Sequence, residues 1–533
     1  MSADTETIKF LWPEIFLVTF AALIFVFGAI IQPRGRFAVF AGLSLLVAGF
    51  ATYRQMVYSD FTQVWTLDGP LLIDYLGHLV RCLMYGVGLL LVCMAMRAEA
   101  RELTGEVYGS LLLVVAGTML ASQAGSLVLL FLALELISIP TYVLLFLGRR
   151  TMATAEATTK YFFLSILSSA LLLYGFSFLY GMAGSTSLMK IHGTLAAGAL
   201  NPEAVSYQAL APIAFLLILA GLGFKIAMVP FHFYAADVYQ GTTNLNAGLL
   251  AVVPKLAGVI ALTRLLLVMS PALGAWGWQT ILILSMATMT LGNVSALWQT
   301  NVRRLMAYSS IAHAGYMLIG LVVALAVDNA AAQQAGIAAM LLYLAVYVFA
   351  SLGTFAAFTW LSDDDQELDQ LSQLVGIGVR RPATAICLSI FMFSLAGIPP
   401  LAGFWGKLML FWEAIGSGLT IAASDMAYWF IVLAVVGVVN AAIGAAYYLR
   451  LIATMFFPTD ESSVATVRQG VVGAAVAMVV CAALIVGTGV FPGRMITATV
   501  SAAQAAWLSQ ESDELLVQID TNVLPAADSR REP

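Results

Sequence analysis

Long apolar stretches alternate with short polar segments along almost the whole chain. A hydrocarbon core about 30 Å thick needs about 20 apolar helical residues to cross it, and windows of that size predict about fourteen membrane-spanning helices. The windows are residues 11–31, 36–53, 74–96, 106–122, 125–147, 157–182, 209–233, 243–268, 276–298, 304–325, 335–361, 383–416, 426–456 and 468–491. The alternating strands typical of a membrane β-barrel do not occur in this pattern. We therefore predict an all-α polytopic membrane protein.

The composition supports this prediction. Of the 533 residues, 61% are hydrophobic and only 10% are charged, and the mean hydropathy is +0.93. Soluble proteins carry roughly 25% charged residues, so a water-soluble protein is excluded. The arginines occur singly or in pairs and form no basic patch, which gives no support for nucleic acid binding. The polar start leads directly into an apolar window, so we expect no cleavable signal.

Arginine and lysine are distributed unequally between the two sets of predicted loops. One set contains Arg34, Arg36, Arg97, Arg101, Arg149, Arg150, Arg303, Arg304, Arg380, Arg381, Arg450 and Arg468. The short loops of the other set contain little beyond Arg54 and Lys190. Because positive residues accumulate on the cytoplasmic side, we predict that the arginine-rich loops are cytoplasmic and that both termini lie on the opposite side.

Three of the six lysines, Lys225, Lys255 and Lys407, lie deep within apolar windows. A charge at the bilayer centre costs from about 2.5 to more than 10 kcal/mol, depending on the reference state. Three such residues on separate helices are therefore expected to be functional. A buried lysine can release its proton near neutral pH, whereas arginine stays charged. We predict that these lysines exchange protons.

Four further ionisable residues are candidates for proton transfer. Glu135 is the only charged residue of its window, and we expect it to pair with Lys225 and to keep that lysine charged. Glu156 and Lys160 are spaced i, i+4 on one helix face, and His313 lies in the middle of a window. Structural roles stay open for all of them. For Glu135 and the three lysines, the structural role is an ion pair between helices. For Glu156 it is a carboxylate at the start of a helix, for Lys160 a side chain that snorkels to the membrane interface, and for His313 a hydrogen-bonded packing residue.

Prolines next to two of the lysines predict interrupted helices. Pro230 follows Lys225, and Pro399 and Pro400 precede Lys407. A proline inside a helix frees backbone carbonyls, as expected where ions cross a membrane. The interrupted helices are the seventh and the twelfth, and a five-helix unit can be repeated in the membrane only upside down. We therefore predict two inverted five-helix repeats.

The repeats divide the chain into four predicted segments. Residues 1–105 form an N-terminal three-helix segment, residues 106–270 the first repeat and residues 271–458 the second, inverted repeat. Residues 459–533 form the last transmembrane helix and an exposed tail. The acidic stretch 363–369 is expected to be a solvated surface.

The four cysteines are widely separated and form no CxxC motif or Cys/His cluster. Metal or iron–sulfur binding by this chain is therefore not expected. Any electron transfer linked to the protein would take place in another subunit.

Several motifs resemble the antiporter-like subunit N family of proton-pumping NADH:quinone oxidoreductase, respiratory complex I. They include WPEIFL, LELISIPTYVLL, LGFKIAMVPFHFYAADVYQG, VVPKLAG, NVRRLMAYSSIAHAGYMLIG and LAGIPPLAGFWGKLMLF. The resemblance covers roughly residues 10–490 and implies fourteen helices with two inverted repeats. By position, it assigns proton transfer to Glu135, Lys225, Lys255, His313 and Lys407, and proton uptake to Glu156 and Lys160.

The resemblance also implies a setting for the chain. The expected location is a bacterial inner membrane, in a complex whose other subunits bind flavin mononucleotide, iron–sulfur clusters and quinone. The implied neighbours are an M-type subunit, small K-type and J-type subunits, and the lateral helix of an L-type subunit. The electron donor and the quinone type are not implied.

Alternative functions remain open at this point. Sister subunits of L and M type and subunits of cation/proton antiporters share the same core motifs. The DVYQG segment, the lysine in the twelfth helix and a chain that ends without an L-type lateral helix favour the N type. A scaffold that only retains ancestral charges is a further alternative.

Overall fold

Apolar sequence forms α-helix throughout the described part of the chain, because backbone groups in hydrocarbon must satisfy one another. The computed structural model describes residues 3–30, 36–58, 65–66, 70–96, 104–148, 151–200, 210–327, 329–362, 367–420, 427–457 and 470–506. Its helices are α1 (Ala3–Ile30), α2 (Arg36–Tyr58), α3 (Tyr75–Ala95), α4 (Thr104–Ser122), α5 (Leu127–Phe146), α6 (Met152–Ala183), α7 (Leu188–Leu200), α8 (Ala211–Ile226), α9 (Ala235–Gly241), α10 (Asn244–Leu297), α11 (Val302–Ala326), α12 (Ala330–Trp360), α13 (Ile377–Arg380), α14 (Pro382–Ala396), α15 (Ala402–Thr420), α16 (Ala427–Phe456) and α17 (Val472–Val490). Residues 493–506 are also helical, and Leu371–Leu374 form a 3-10 turn. The described strands, β1 (Trp65–Thr66) and β2 (Leu72–Ile73), form one short antiparallel pair, and the all-α prediction is confirmed.

Eleven of the described helices are long and apolar enough to cross a membrane. The predicted eighth and ninth spans both lie in α10, which has 54 residues and bends at Gly274. The φ of 51° and ψ of −153° at this residue suit glycine, which has no Cβ. The predicted twelfth span is divided into two shorter helices, α14 and α15, whereas the predicted seventh span contains α8 and the turn after it, and α9 begins beyond that window. The count of fourteen spans stays a prediction.

The predicted orientation and segment boundaries are also not decided by this architecture. Six of the arginines that support the orientation lie outside the described residues: Arg34, Arg97, Arg101, Arg149, Arg150 and Arg468. The boundary between residues 270 and 271 falls within α10, just before its bend. The boundary between residues 458 and 459 lies outside the described part of the chain.

The three helices α10, α11 and α12 are the most deeply buried of the long helices, whereas α1 and α16 lie at the periphery. Small residues allow α10 and α11 to approach closely. A Cβ on Gly292 would lie 2.5 Å from the amide nitrogen of Ala312, and one on Gly315 would lie 2.6 Å from that of Met289. These contacts lie on both sides of His313, so backbone packing fixes its place in the core.

Two arginines are buried in ion pairs that we did not anticipate from the sequence. The Arg81 guanidinium donates from Nε and Nη2 to the two Glu14 carboxylate oxygens, each at 2.7 Å. Arg264 Nη2 lies 2.8 Å from Asp74 Oδ2, and its Nε donates to the Ser122 carbonyl oxygen at 3.0 Å. Buried charges that are paired in this way can remain in an apolar interior. The first pair joins α1 to α3, and the second joins α10 to the ends of α3 and α4.

The expectation that the acidic stretch 363–369 is a solvated surface is wrong for Glu367. Arg303 Nη1 lies 2.6 Å from Glu367 Oε2, and both side chains are only 10% exposed. The same carboxylate oxygen accepts a hydrogen bond from the Asn244 amide at 3.1 Å. Because α10 begins at Asn244 and α11 begins next to Arg303, this carboxylate ties the starts of two central helices together.

Candidate functional site

Four of the predicted proton-transfer residues lie in the protein interior. The exposed fraction is 5% for Lys225, 2% for Lys255, 6% for Lys407 and 2% for His313. None of them is in a loop or at a helix end facing solvent. Burial in apolar helices makes the charged state of these groups costly, so their protonation depends strongly on nearby charges and dipoles.

Lys225 is held by a serine on α5 rather than by the predicted glutamate. Its Nζ donates to Ser138 Oγ at 2.5 Å, and that hydroxyl donates to the Leu134 carbonyl oxygen at 2.7 Å. Glu135, three residues earlier on α5, accepts a 2.5 Å hydrogen bond from Ser169 on α6. The ion pairs of the described residues do not include one between Glu135 and Lys225. The structure thus shows the two groups bound to separate serines.

Lys255 is bound by Ser310 of α11. Its Nζ donates to Ser310 Oγ at 2.5 Å and to the Ser310 carbonyl oxygen. Tyr347 of α12 lies beside it, with the ammonium 4.9 Å from the ring centroid. The Tyr347 hydroxyl donates to Ser310 Oγ at 2.8 Å. Lys255 therefore has oxygen acceptors and an aromatic face around it, but no carboxylate among these contacts.

The two buried lysines of the first half meet at a close contact between α8 and α10. A Cβ on Gly258 would lie 2.7 Å from Ile226 Cγ2 and 3.2 Å from Lys225 Cβ. Gly258 is one turn from Lys255 on α10. The glycine therefore lets the segment that carries Lys225 pack directly against the helix that carries Lys255.

His313 lies between two tyrosine hydroxyls. Its Nδ1 is 2.5 Å from the Tyr343 hydroxyl, and its Nε2 is 2.9 Å from the Tyr448 hydroxyl. The Tyr448 hydroxyl also lies 2.5 Å from Ser309 Oγ. A neutral imidazole donates from one nitrogen and accepts at the other, so this arrangement lets a proton be received on one side of the ring and released on the other.

Lys407 lies at the second helix interruption. Its Nζ donates to the carbonyl oxygens of Leu395 at 2.9 Å and Ala396 at 3.0 Å, the last residues of α14. The ammonium is also 4.9 Å from the centroid of the Tyr316 ring, and this ring lies 6.0 Å from that of His313. Carbonyls at the end of a helix carry partial negative charge, so they favour the ammonium without a carboxylate.

The two interruptions have the same backbone geometry. Helix α8 ends at Ala227 in the left-handed conformation, with φ 57°, and α14 ends at Gly397, with φ 89°. In both, a proline follows three residues later after a cis peptide bond, Pro230 in the first and Pro400 in the second. The two interruptions thus share these backbone features, and the inverted five-helix repeats stay a prediction.

The two interruptions have a lysine at different positions in the chain. Lys225 lies two residues before the left-handed Ala227, whereas Lys407 lies ten residues after the left-handed Gly397. The Lys407 ammonium bonds to the carbonyl of Leu395, which is two residues before Gly397. Lys225 is thus at the first interruption by its place in the chain, and Lys407 is at the second through its ammonium group.

The predicted uptake pair lies at the surface, at the start of α6. Lys160 Nζ is 2.6 Å from Glu156 Oε1 and 2.9 Å from Asp237 Oδ2 on α9. The side chains of Glu156 and Lys160 are 64% and 40% exposed. The pair is accessible from outside the protein. A third charged residue, Asp237, belongs to the same cluster and was not predicted from the sequence.

Several polar residues of the interior were missed in the sequence. They are Ser138, Ser169, Asn293, Ser309, Ser310, Tyr316, Tyr343, Tyr347, Tyr447 and Tyr448, all hydrogen-bonded within this core. A signal was present, because polar residues repeat at helical spacing on α11 and α12. Ser309, His313 and Tyr316 are spaced four and three residues apart, and Tyr343 and Tyr347 four apart. Because hydroxyl-bearing residues are common in apolar windows, only the ionisable residues were predicted to be functional.

Within the described part of the chain, no group of three His, Cys, Asp or Glu side chains comes together, and the four cysteines form no disulfide. The chemistry that these residues can perform is proton exchange by lysine, histidine, carboxylate and hydroxyl groups.

An all-helical membrane protein with buried lysines beside two interrupted helices belongs to the class of membrane ion transporters. The sequence matches the family described as NADH:quinone oxidoreductase/Mrp antiporter, TM, over residues 124–444. NADH-quinone oxidoreductase subunit N of Sphingopyxis alaskensis is 34% identical over 508 residues, 95% of each chain. F(420)H(2) dehydrogenase subunit N of Methanosarcina mazei is 33% identical over 514 residues, which cover 93% of this chain and 99% of the relative.

A solved structure agrees with these relatives. A chain of respiratory complex I from Thermus thermophilus is 29% identical, with a TM-score of 0.73, and the similarity covers 92% of this chain and 99% of that one. The chain belongs to the NADH:quinone oxidoreductase/Mrp antiporter family and, within it, to the subunit N relatives of NADH-quinone oxidoreductase.

Proposed function

We propose that the chain is the proton-translocating subunit N of a bacterial NADH:quinone oxidoreductase. The observation that carries this proposal is the line of buried groups from Lys255 through His313 to Lys407 along α11. On that helix Ser310 binds Lys255, the Tyr316 ring faces the Lys407 ammonium, and His313 lies between Ser310 and Tyr316 in the sequence. A scaffold has no need for ionisable groups placed along one line in an apolar core, where each is costly.

The proposed route begins at the surface pair. Glu156 and Lys160 take up protons from the cytoplasmic side, and Lys255 receives them in the interior. His313 passes them between its two tyrosine partners toward Lys407, which releases them on the opposite side. In this proposal, bridging waters connect Ser310 to Ser309 and His313 to Lys407.

The proposed switch is the pair of Glu135 and Lys225. In the present arrangement each is bound to its own serine, which corresponds to the separated state. When quinone reduction elsewhere in the complex brings the two charges together or apart, the field at Lys255 changes. At an effective dielectric near 20, moving a unit charge from about 4 to about 8 Å changes an interaction by about 2 kcal/mol. That exceeds the 1.36 kcal/mol that corresponds to one pKa unit.

Redox chemistry is assigned to other subunits in this proposal. Flavin mononucleotide, iron–sulfur clusters and quinone would be bound by partners, and this chain would have no redox centre of its own. Its direct neighbours would be an M-type subunit, the small K-type and J-type subunits and the lateral helix of an L-type subunit. Both termini would lie on the non-cytoplasmic side of the inner membrane.

Membership in such a complex is tested by gentle purification of the chain with its partners. We expect flavin and iron–sulfur absorption in the purified assembly. A cation/proton antiporter, the other activity named in the family description, would instead show sodium-dependent transport and neither cofactor. That result would contradict the proposal.

The proton route is tested at the partners of His313. The double substitution Tyr343→Phe, Tyr448→Phe removes both hydroxyls and leaves the aromatic packing. Proton pumping driven by NADH oxidation in sealed membrane vesicles is expected to fall about tenfold, which corresponds to a barrier higher by about 1.4 kcal/mol. Tyr85→Phe is the matched control, because its buried hydroxyl pairs with Thr52 at 2.7 Å in the N-terminal helices. Normal pumping by the double variant would show that protons do not pass His313.

A further inference from the structure

The uptake pair is joined by a carboxylate that the proposed route does not use. Asp237, on α9 between the first interruption and α10, accepts a hydrogen bond from Lys160 at 2.9 Å. Its other oxygen accepts one from Arg304 Nη1 at 2.7 Å. Arg304 also donates to Gln240 Oε1 at 2.9 Å. One carboxylate thus connects a lysine of α6 with an arginine of α11.

The position of Asp237 repeats a position used by the second half of the protein. Asp237 lies ten residues after the left-handed Ala227, and Lys407 lies ten residues after the left-handed Gly397. The two repeats therefore carry an ionisable residue at the same distance beyond the interruption. In the first repeat it has the opposite charge and points to the surface cluster, with 37% of its side chain exposed.

Within the described part of the chain, the charges of this cluster balance. Two carboxylates, Glu156 and Asp237, face two cations, Lys160 and Arg304. The neighbouring first turn of α10, residues 244–247, contains no charged residue. Opposite charges at this distance favour the ionised state of both partners, so Asp237 holds Lys160 and Arg304 side by side.

We infer that Asp237 is a positioning residue for proton uptake, which fixes Lys160 between two carboxylates and ties it through Arg304 to the helix that carries Ser310 and His313. Arg304 is the third residue of α11, six residues before Ser310. A change in the charge of the uptake cluster therefore acts on the start of the helix along which protons pass. This inference rests on the proposed function, because it concerns the supply of protons to that route.

The test changes the charge of the cluster in both directions. Asp237→Asn removes a negative charge next to Lys160, so the alkaline limb of the pumping-versus-pH profile is expected to move lower by about half a pH unit. Arg304→Gln leaves Asp237 to Lys160 alone, so the limb is expected to move higher by a similar amount. Proton pumping driven by NADH oxidation is measured in sealed vesicles across the pH range. If Asp237→Asn does not assemble, the direction of the Arg304→Gln shift decides the inference by itself.

Glu367→Gln is the matched control, because Glu367 pairs with Arg303 at the start of the same helix without touching Lys160. We expect its pH profile to be unchanged, even if less enzyme assembles. A purely structural bridge at Asp237 predicts unshifted profiles in all three variants, and that result would overturn the inference. Unshifted profiles together with a defect in the Tyr343→Phe, Tyr448→Phe enzyme would leave the proposed route in place. If none of these variants showed a pumping defect or a shifted pH profile, that result would contradict both the inference about Asp237 and the proposed proton route.

Discussion

The Lys255→Ala variant is expected to assemble into a complex that has lost at least about nine tenths of its proton-coupled turnover. Alanine removes the ammonium bound by Ser310, so the group that receives protons in the interior is missing. A barrier increase of about 1.4 kcal/mol at this single step already slows it tenfold. The measurement is NADH-driven acidification by sealed vesicles, normalised to the amount of assembled complex.

Lys190→Ala serves as the control for this variant. Lys190 is an exposed lysine of α7, and its loss changes the net charge by the same amount without touching the core. We expect normal pumping from it. If Lys255→Ala pumped as well as Lys190→Ala, the chain would be a scaffold for proton transfer that occurs elsewhere.

Gly403→Ala is expected to distort the second interruption and to lower the stability of the complex by about 3 kcal/mol. A Cβ at this position would lie 1.7 Å from the Ser394 carbonyl oxygen and 2.9 Å from Ser394 Oγ. The nearer atom is backbone, so α15 must move away from α14. That movement also displaces Lys407, whose ammonium is bound to the last two carbonyls of α14. Thermal denaturation of the purified complex measures the effect.

Gly416→Ala on the same helix gives the comparison. Outside its own stretch of helix, no atom of the described residues lies within 4 Å of a Cβ at this position, and alanine favours a helix over glycine by up to about 1 kcal/mol. We expect unchanged or slightly higher stability and normal pumping. Equal stability of the Gly403→Ala and Gly416→Ala complexes would show that α14 and α15 do not approach each other in this way.

The depth of the three central lysines was predictable from the sequence, because single charges in long apolar windows stand out against their neighbours. Lys225, Lys255 and Lys407 are buried as their windows suggested. The prolines beside two of them indicated where helices end, and the structure has α8 and α14 ending at those places. These features depend on local sequence, since a helix in hydrocarbon must satisfy its own backbone.

Partner choice was not predictable, because it depends on which helices meet. Glu135 and Lys225 were expected to form a pair, yet each binds a serine from another helix. Asp237 was overlooked because it lies in a polar segment, where a carboxylate is ordinary. Its importance comes from Lys160 and Arg304, which are distant in sequence.

Buried arginines were a second gap in the sequence-based interpretation. Arg81 and Arg264 lie within predicted spans near their ends, where a snorkelling side chain would reach solvent. Instead, Arg81 is fully buried on Glu14, and Arg264 is buried on Asp74. A cation and a carboxylate in two different windows become recognisable as a pair only once the packing of the helices is known.

The central claim is that a buried lysine translocates protons by binding and releasing them, not merely by being positive. The most direct test is the number of protons translocated per two electrons by the Lys255→Arg complex in sealed vesicles. Arginine keeps the charge but does not give up its proton, so we predict a ratio as low as that of Lys255→Ala. A wild-type ratio in the arginine variant would contradict the claim.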